Sequence, residues 1–380
     1  MYEVTTSLDL PLEQAVTPTP FSLGHRPELD GLRGLSILLV LLLHLGFSFF
    51  RGGFLGVDIF FVLSGFLITS LLVQESNLRG SISLKNFYVR RALRLMPAVV
   101  TVILASGVYA VIFLNKTKAA EVYSGMLLTL SYVSNWYFAL WGARVGPLGI
   151  TWSLAIEEQF YLLWPPILAL VFKLRVKRRI IILTIILAVI YVAFHRRILL
   201  QGNAEIGRMY YATDTRADAL LIGCLVALLL SWNLLPRSER FCRVMKILAA
   251  IAALFIGFLV TTISQEDPSL YLGVFTLVAI SVGVVLVVLM LWPPAPVLTV
   301  LNFSPLRWIG RISYGLYLWH WPIREFLCPN NDISSWWRIT AVVVLTLVAT
   351  CLSFYLIEKP FLRLKRSFAA DSTTTGPLVI

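Results

Sequence analysis

The chain has 380 residues, of which 58% are hydrophobic and only 14% are charged, and its formal net charge is +12. Because soluble domains carry about 25% charged residues, this composition excludes a soluble globular protein and indicates an integral membrane protein. The Lys and Arg residues form short clusters between apolar runs, which is the pattern that membrane topology produces. We therefore expect no nucleic-acid partner.

The two ends of the chain are polar. Residues 1–32 contain four prolines but neither a basic n-region nor a cleavage pattern, so we predict a cytoplasmic tail and no cleaved signal peptide. Residues 363–380 are predicted to form a second cytoplasmic tail. The four cysteines lack CxxC spacing, and we interpret them as packing residues without a metal or redox role: Cys224, Cys242, Cys328 and Cys351.

Ten apolar runs approach or reach the length that crosses a bilayer, roughly 17–25 residues. They lie near residues 35–50, 54–73, 97–114, 152–172, 180–199, 216–232, 247–263, 270–292, 312–328 and 337–357. A further segment, 124–141, is short and carries Ser, Thr and Asn. If it does not cross, five basic clusters share one face, as the positive-inside rule favours. We predict an all-α polytopic membrane protein with about ten transmembrane helices, both termini cytoplasmic and a re-entrant or interfacial segment at 124–141.

The first span begins with "RGLSILLVLLLH", which places Arg33 and His44 eleven residues apart. At 100° per residue this separation is about 1100°, close to three whole turns, so both side chains share a helix face about 16 Å apart. Arg33 would mark the cytoplasmic surface and His44 would lie inside the bilayer. An imidazole at that depth suits general-base chemistry. A neutral histidine bonded to a neighbouring helix is the alternative.

The segment "FYVRRALRLMP" carries Arg90, Arg91 and Arg94 on the predicted cytoplasmic side. Guanidinium groups bind phosphates in a bidentate manner, and lysine would serve membrane topology equally well. The three arginines therefore favour an anionic ligand, although topology alone could also explain them.

Two adjacent carboxylates, Glu157 and Glu158, lie in the otherwise apolar segment "TWSLAIEEQFYLLWP". Because neighbouring helical positions point about 100° apart, we expect one of them to face the protein interior. A carboxylate beside an imidazole orients it and stabilises the imidazolium, so we predict that Glu158 or Glu157 pairs with His44. A structural ion pair is the alternative.

Other polar groups lie where an acceptor substrate could bind, beside predicted outer ends of spans or among aromatic residues. The predicted substrate-binding residues are Asp58, Asp214, Arg216, Asp218, Tyr317 and His320. Stacked aromatic rings with such neighbours suit a sugar or a lipid headgroup. A helix-start carboxylate explains Asp58 equally well, and an aromatic belt at the membrane interface explains most of the rings.

Together these stretches resemble the acyltransferase-3 family of membrane O-acyltransferases over residues 26–362. The resemblance rests on an ordered series of motifs: "ELDGLRGLSILLVLLLH", "GGFLGVDIFFVLSGFLIT", "FYVRRALRLMP", "WSLAIEEQFY", "DTRADALLIG", "ISYGLYLWHWP" and "IEKP". The family's hallmark is a basic residue, ten further residues and a histidine, which Arg33 and His44 fit. The resemblance implies ten core helices, with residues 33–362 as the transmembrane domain.

The resemblance also implies a reaction, the transfer of an acyl group, often acetyl from acetyl-CoA, to a hydroxyl of an envelope glycan. We expect Arg33, Arg90, Arg91 and Arg94 to bind acyl-CoA, and His44 to deprotonate a hydroxyl of an extracytoplasmic or lipid-linked carbohydrate. Direct transfer is preferred over an acyl-histidine intermediate. We expect no permanently bound cofactor and no metal, with acyl-CoA as co-substrate, membrane lipids around the protein and a bacterial inner-membrane location.

The resemblance also implies that some family members carry an additional C-terminal hydrolase-like domain. We expect this chain to act without one, so that a second transfer step would need a separate protein. A multi-span transporter or flippase of a glycan or lipid precursor is the main alternative function. An acyl-sensing membrane protein without turnover is a weaker one. The acceptor, the acyl length and the oligomeric state are left open.

Overall fold

The computed structural model describes residues 23–142, 146–328, 333 and 335–367, and this part of the chain contains helices and no β-strand. The predicted all-α class is confirmed. Most of the two predicted tails, 1–32 and 363–380, lies outside the described residues.

Sixteen α-helices occur in the described part of the chain. They are α1 (Pro27–His44), α2 (Leu55–Arg79), α3 (Leu84–Phe113), α4 (Lys116–Leu130), α5 (Ser134–Trp141), α6 (Trp152–Lys173), α7 (Arg178–Gln201), α8 (Ile206–Tyr211), α9 (Thr213–Ser231), α10 (Glu239–Thr262), α11 (Phe275–Leu291), α12 (Ala295–Leu301), α13 (Ser304–Arg311), α14 (Ser313–Leu327), α15 (Trp336–Leu352) and α16 (Lys359–Ser367). A 3-10 turn at Gly146–Thr151 leads into α6, and π-helical turns at Leu270–Val274 and Ser353–Glu358 extend α11 and α15.

Within the described residues, seven helical stretches are long and apolar enough to cross a membrane. They are Leu55–Arg79, Leu84–Phe113, Gly146–Lys173, Arg178–Gln201, Glu239–Thr262, Leu270–Leu291 and Trp336–Leu364. Helices α9 and α14 coincide with two of the other predicted spans, and α1 overlaps the third, 35–50, but begins and ends earlier. Helices α1 and α9 carry several charged residues and α14 has only 15 residues. The protein is polytopic, and the number of ten spans stays a prediction.

Helix α1 begins at Pro27, inside the segment predicted as a tail. Proline at the first helical position has the φ angle that a helix needs, and Glu28 and Asp30 in the first turn complement the helix dipole. The helix is unbroken to His44, and Gly46 at φ 82° turns the chain away. Arg33 and His44 therefore belong to one continuous helix, as predicted.

The segment 124–141 is not one helix. It breaks between α4 and α5 at Tyr132, which has a φ of 53°. The side-chain amide of Gln159 on α6 donates to the Tyr132 carbonyl at 2.7 Å and to the Asn135 amide oxygen at 2.9 Å. A break at membrane depth requires such partners for the freed backbone groups.

Two glycine contacts set the positions of α1 and α2. Gly65 on α2 and Gly223 on α9 face each other's helix so closely that a Cβ on either would collide with the backbone carbonyl of Leu220 or Val62. Small residues allow this backbone approach between membrane helices. Gly34 on α1 meets Gly310 on α13 in a similar way, which brings α1 beside the start of α14.

Candidate active site

A cavity of about 260 Å³ runs along α2 between α3, α6 and α14. Its lining includes Val57 and Arg79 on α2, which are twenty-two residues and therefore about 33 Å of helix apart. We call it the arginine cavity because its polar lining includes Arg33, Arg90, Arg91 and Arg94. The structure thus brings together the four arginines that the sequence predicts as one binding site.

Two of the four arginines are already paired. Arg90 makes a 3.0 Å ion pair with Glu75. Arg91 lies 3.7 Å from a carboxylate oxygen of Glu158, and its guanidinium stacks over the Tyr161 ring at 3.6 Å from the centroid. These contacts fix the two side chains and neutralise much of their charge.

The other two arginines make no ion pair with a carboxylate among the described residues. Arg33 donates to the Ser313 hydroxyl at 3.2 Å, while its buried Nε has no hydrogen-bond partner among the described residues. Arg94 takes part in none of the hydrogen bonds or ion pairs found in the described part of the chain. Because both side chains face the cavity, they are the groups best able to hold an anion there.

Glu157 and Glu158 contact residues of the arginine cavity. The predicted pairing of one of these glutamates with His44 is therefore wrong. Glu157 accepts from the Ser64 hydroxyl at 2.7 Å and from Tyr161 at 3.4 Å, and Glu158 faces Arg91. The reason is that the two glutamates lie at a different depth in the helix bundle from His44. Helix α6 starts only at Trp152, and Ser153, one turn before Glu157, already contacts Tyr317 on α14.

The partner of His44 is His320. His44 Nδ1 lies 3.0 Å from His320 Nε2, and the rings are stacked with centroids 5.1 Å apart. His320 Nδ1 lies 3.0 Å from the Leu316 carbonyl oxygen, and the rings of Trp321 and His44 pack edge to face with their centroids 4.7 Å apart. Arg33 and His44 both contact α14, at Ser313 and His320, so their predicted common face is confirmed.

A hydrogen bond separates the arginine cavity from the two histidines. The Tyr317 hydroxyl lies 2.6 Å from the Ser153 hydroxyl and donates to the Ile150 carbonyl at 3.1 Å. Ser153 and Tyr317 both line the cavity, and the Tyr317 and His320 ring centroids are 5.7 Å apart. The cavity therefore approaches the histidines to within about one helical turn.

Three predicted substrate-binding residues form a buried charge network instead. Asp58 and Arg216 make a 2.9 Å ion pair with side-chain exposures of 2% and 1%. Asp218 accepts two hydrogen bonds from Arg196, at 3.1 and 2.8 Å, and a third from Thr276. This network joins α2, α7, α9 and α11, and its burial and mutual pairing give these residues a structural role.

Asp214 lies apart from that network and is partly exposed. It accepts two hydrogen bonds from Arg208, at 2.8 and 2.6 Å, and lies 3.1 Å from His195. Partial burial raises the pKa of Asp214, but the hydrogen bonds and charge of Arg208 and His195 outweigh it and hold the pKa below its usual value. The structure does not bring Asp214 to the arginine cavity lining.

Comparison with known sequences decides the family. The sequence profile of acyltransferase-3, described as an acyltransferase domain, matches residues 26–358, nearly the whole described part of the chain. The chain belongs to the acyltransferase-3 family. No solved structure matches it significantly.

Several curated relatives of this acyltransferase-3 chain carry informative names. It is 38% identical over 356 residues to the peptidoglycan O-acetyltransferase OatA of Listeria monocytogenes, covering 90% of this chain and 56% of that protein. It is 36% identical over 351 residues, 88% of this chain and 55% of the relative, to YrhL of Bacillus subtilis, provisionally named as a peptidoglycan O-acetyltransferase. The chain thus spans little more than half the length of these relatives.

Several residues of this acyltransferase-3 site are not predicted from the sequence. Glu75, Ser64, Tyr161 and Ser153 contact the predicted groups, but nothing in their local sequence distinguishes them from packing residues. Arg196 is different, because it follows an apolar run within "FHRRI" and its helical phase could have indicated burial.

Proposed function

We propose that the chain is a membrane-bound O-acyltransferase that takes an acyl group, with acetyl as the first to test, from acyl-CoA and delivers it to a hydroxyl of an extracytoplasmic or lipid-linked carbohydrate. The observation that carries the proposal is a cavity with an arginine wall that leads toward a histidine pair. The relatives' names make peptidoglycan the first acceptor to test. The arginine end and both chain termini would face the cytoplasm of a bacterial cell.

Arg33 and Arg94 are proposed to bind the phosphates of acyl-CoA, because both line the cavity and neither makes an ion pair with a described carboxylate. Arg90 and Arg91 line the same wall but are held by Glu75 and Glu158. Their role would be to shape the wall and to add long-range positive potential. The pantetheine arm would then lie along α2, with the thioester toward Ser153 and Tyr317.

His44 is proposed as the general base. It removes the proton from the acceptor hydroxyl, the hydroxyl oxygen bonds to the thioester carbonyl carbon, and the carbon–sulfur bond breaks. The CoA thiolate leaves and takes the proton from His44, so the enzyme returns to its starting state. The bond between Ser153 and Tyr317 lies between the cavity and His44, so we propose that it opens when both substrates are bound.

Acyl transfer can be tested in cells that express the wild-type chain, a His44→Ala variant at the same level, or neither. Mass spectrometry of the envelope carbohydrate should show a gain of one acyl group with the wild type only, because general-base catalysis contributes typically 10²–10⁴-fold. Full transfer by His44→Ala would contradict the base assignment. Outward movement of a glycan without consumption of acyl-CoA would instead indicate the transporter or flippase alternative.

A further inference from the structure

The hydrogen bonds of His320 determine where its proton lies. A backbone carbonyl oxygen accepts hydrogen bonds and cannot donate them. Since His320 Nδ1 lies 3.0 Å from the Leu316 carbonyl oxygen, Nδ1 must carry the proton. In a neutral imidazole the other nitrogen then has only a lone pair, so His320 Nε2 is an acceptor.

The position of the proton on His320 determines the position of the proton on His44. Its Nδ1 faces His320 Nε2 at 3.0 Å, and two lone pairs at that distance would repel, so His44 Nδ1 must donate. The second nitrogen of His44, Nε2, is then left with its lone pair. We propose that His320 is a positioning residue that fixes this tautomer of His44, so that Nε2 is the atom that receives the hydroxyl proton.

The surroundings of the pair support the neutral state on which this inference depends. Arg324 donates from Nε to the backbone carbonyl of His44 at 2.7 Å, and its Nη1 pairs with Glu325. Another positive charge beside this guanidinium, on His320 at 2% exposure, is unfavourable. Tyr317 and Trp321 complete the contacts of the two rings. A neutral imidazole and a carbonyl thus take the place that a carboxylate occupies in a serine-protease triad.

The inference rests on the proposed base role of His44, and two amide variants test it. In His320→Gln the amide oxygen can reach the position of Nε2 and still accept from His44. In His320→Asn the shorter amide can occupy only the position of Nδ1, and His320→Leu offers no acceptor at all. Acyl transfer should fall by about 100-fold or more in the Asn and Leu variants, and Gln should restore most of it.

Binding of CoA itself, measured by calorimetry on the full chain in nanodiscs, should be the same in all three variants, since His320 does not line the arginine cavity. Equal acyl transfer by the Gln, Asn and Leu variants would overturn the inference. If His44→Ala abolishes transfer while all three His320 variants keep it, the proposed function stands and this inference fails.

A tautomer measurement keeps the inference testable even where a variant folds poorly. The chain has four histidines, His25, His44, His195 and His320, so ¹⁵N-histidine labelling gives a spectrum that single substitutions can assign. In the wild type, His44 should be protonated at Nδ1 and unprotonated at Nε2. A His44 that carries its proton on Nε2 would overturn the inference without any reference to turnover.

Discussion

Arg94 differs from the neighbouring arginines because it makes no hydrogen bond or close ion pair with a described side chain, and it interacts with Asp30 and Glu358 only through longer-range electrostatics. Arg90 is held by Glu75, and Arg91 is held by Glu158 and the Tyr161 ring. In the sequence the three residues look equivalent, because partners supplied by α2 and α6 are invisible in the local pattern. The difference in pairing separates one arginine that can hold a ligand from two that shape the wall.

This difference predicts unequal effects on CoA binding. Arg94→Ala should weaken CoA affinity about 10- to 100-fold, since a hydrogen bond to a charged group contributes about 1.5–3 kcal/mol and each 1.4 kcal/mol is about tenfold. Arg90→Ala should have a smaller effect, because Glu75 already compensates that charge. Calorimetry with CoA on the protein in nanodiscs measures both, and Arg94→Lys serves as the charge-preserving control. Equal losses from Arg94→Ala and Arg90→Ala would contradict the prediction.

His44 shows what helix geometry alone can and cannot predict. The eleven-residue spacing was sufficient to place Arg33 and His44 on one face, because α1 is continuous. It could not identify the partner, since His320 lies 276 positions away in sequence. The glutamates seemed to be the partners because they are rare charges in an apolar segment, but the 3-10 turn at Gly146–Thr151 sets α6 at a different depth.

At the level of elements, α8 and α9 are joined by the contacts of Asp214. The segment was predicted to bind substrate because Asp214, Arg216 and Asp218 follow one another at the start of a helix. In the structure the three side chains point to different neighbours: Arg208 and His195 for the first, Asp58 for the second and Arg196 for the third. Local spacing predicts which residues share a helix face. The packing of α2 and α7 determines which side chains those residues contact.

The Asp214 contacts predict a pH dependence. Because the pKa of Asp214 is depressed in the folded state, its contacts stabilise the protein at pH values above the ordinary carboxylate range. That contribution is lost as the pH falls through the depressed pKa. Asp214→Asn should therefore lower thermal stability in micelles at neutral pH, and its curve should converge with the wild type in acid. A constant difference at every pH would contradict this explanation.

For the whole molecule, the two histidines of the site lie on helices that fall short of a simple membrane-span criterion. Helix α1 carries His44 and helix α14 carries His320, whereas α2, α3 and α6, which line the arginine cavity, are long and apolar enough to cross a membrane. Composition and charge predicted the all-α membrane class because apolar length is a property of each helix alone. The arrangement of the helices could not be predicted, because it depends on contacts such as those of Gly65 and Gly223.

The buried pair of Asp58 and Arg216 predicts a double-mutant result. Asp58→Leu or Arg216→Met alone should destabilise the protein by about 3–5 kcal/mol, because each leaves an uncompensated buried charge. The double variant should be more stable than either single variant, since it contains neither buried charge. Denaturant unfolding in micelles measures all three. Additive losses would indicate that the two residues stabilise the protein independently.

The close approach of α2 and α9 at Gly65 and Gly223 also determines which wall of the cavity can move. With backbone against backbone and no side chain between them, these two helices cannot slide or separate without breaking their contact. Helix α6 is tied to α2 as well, because Ser64 donates to Glu157 at 2.7 Å and Trp164 donates to Thr69 at 2.9 Å. Widening of the cavity for a bulky acyl group would therefore have to occur where α14 meets α6, at the hydroxyl pair of Ser153 and Tyr317.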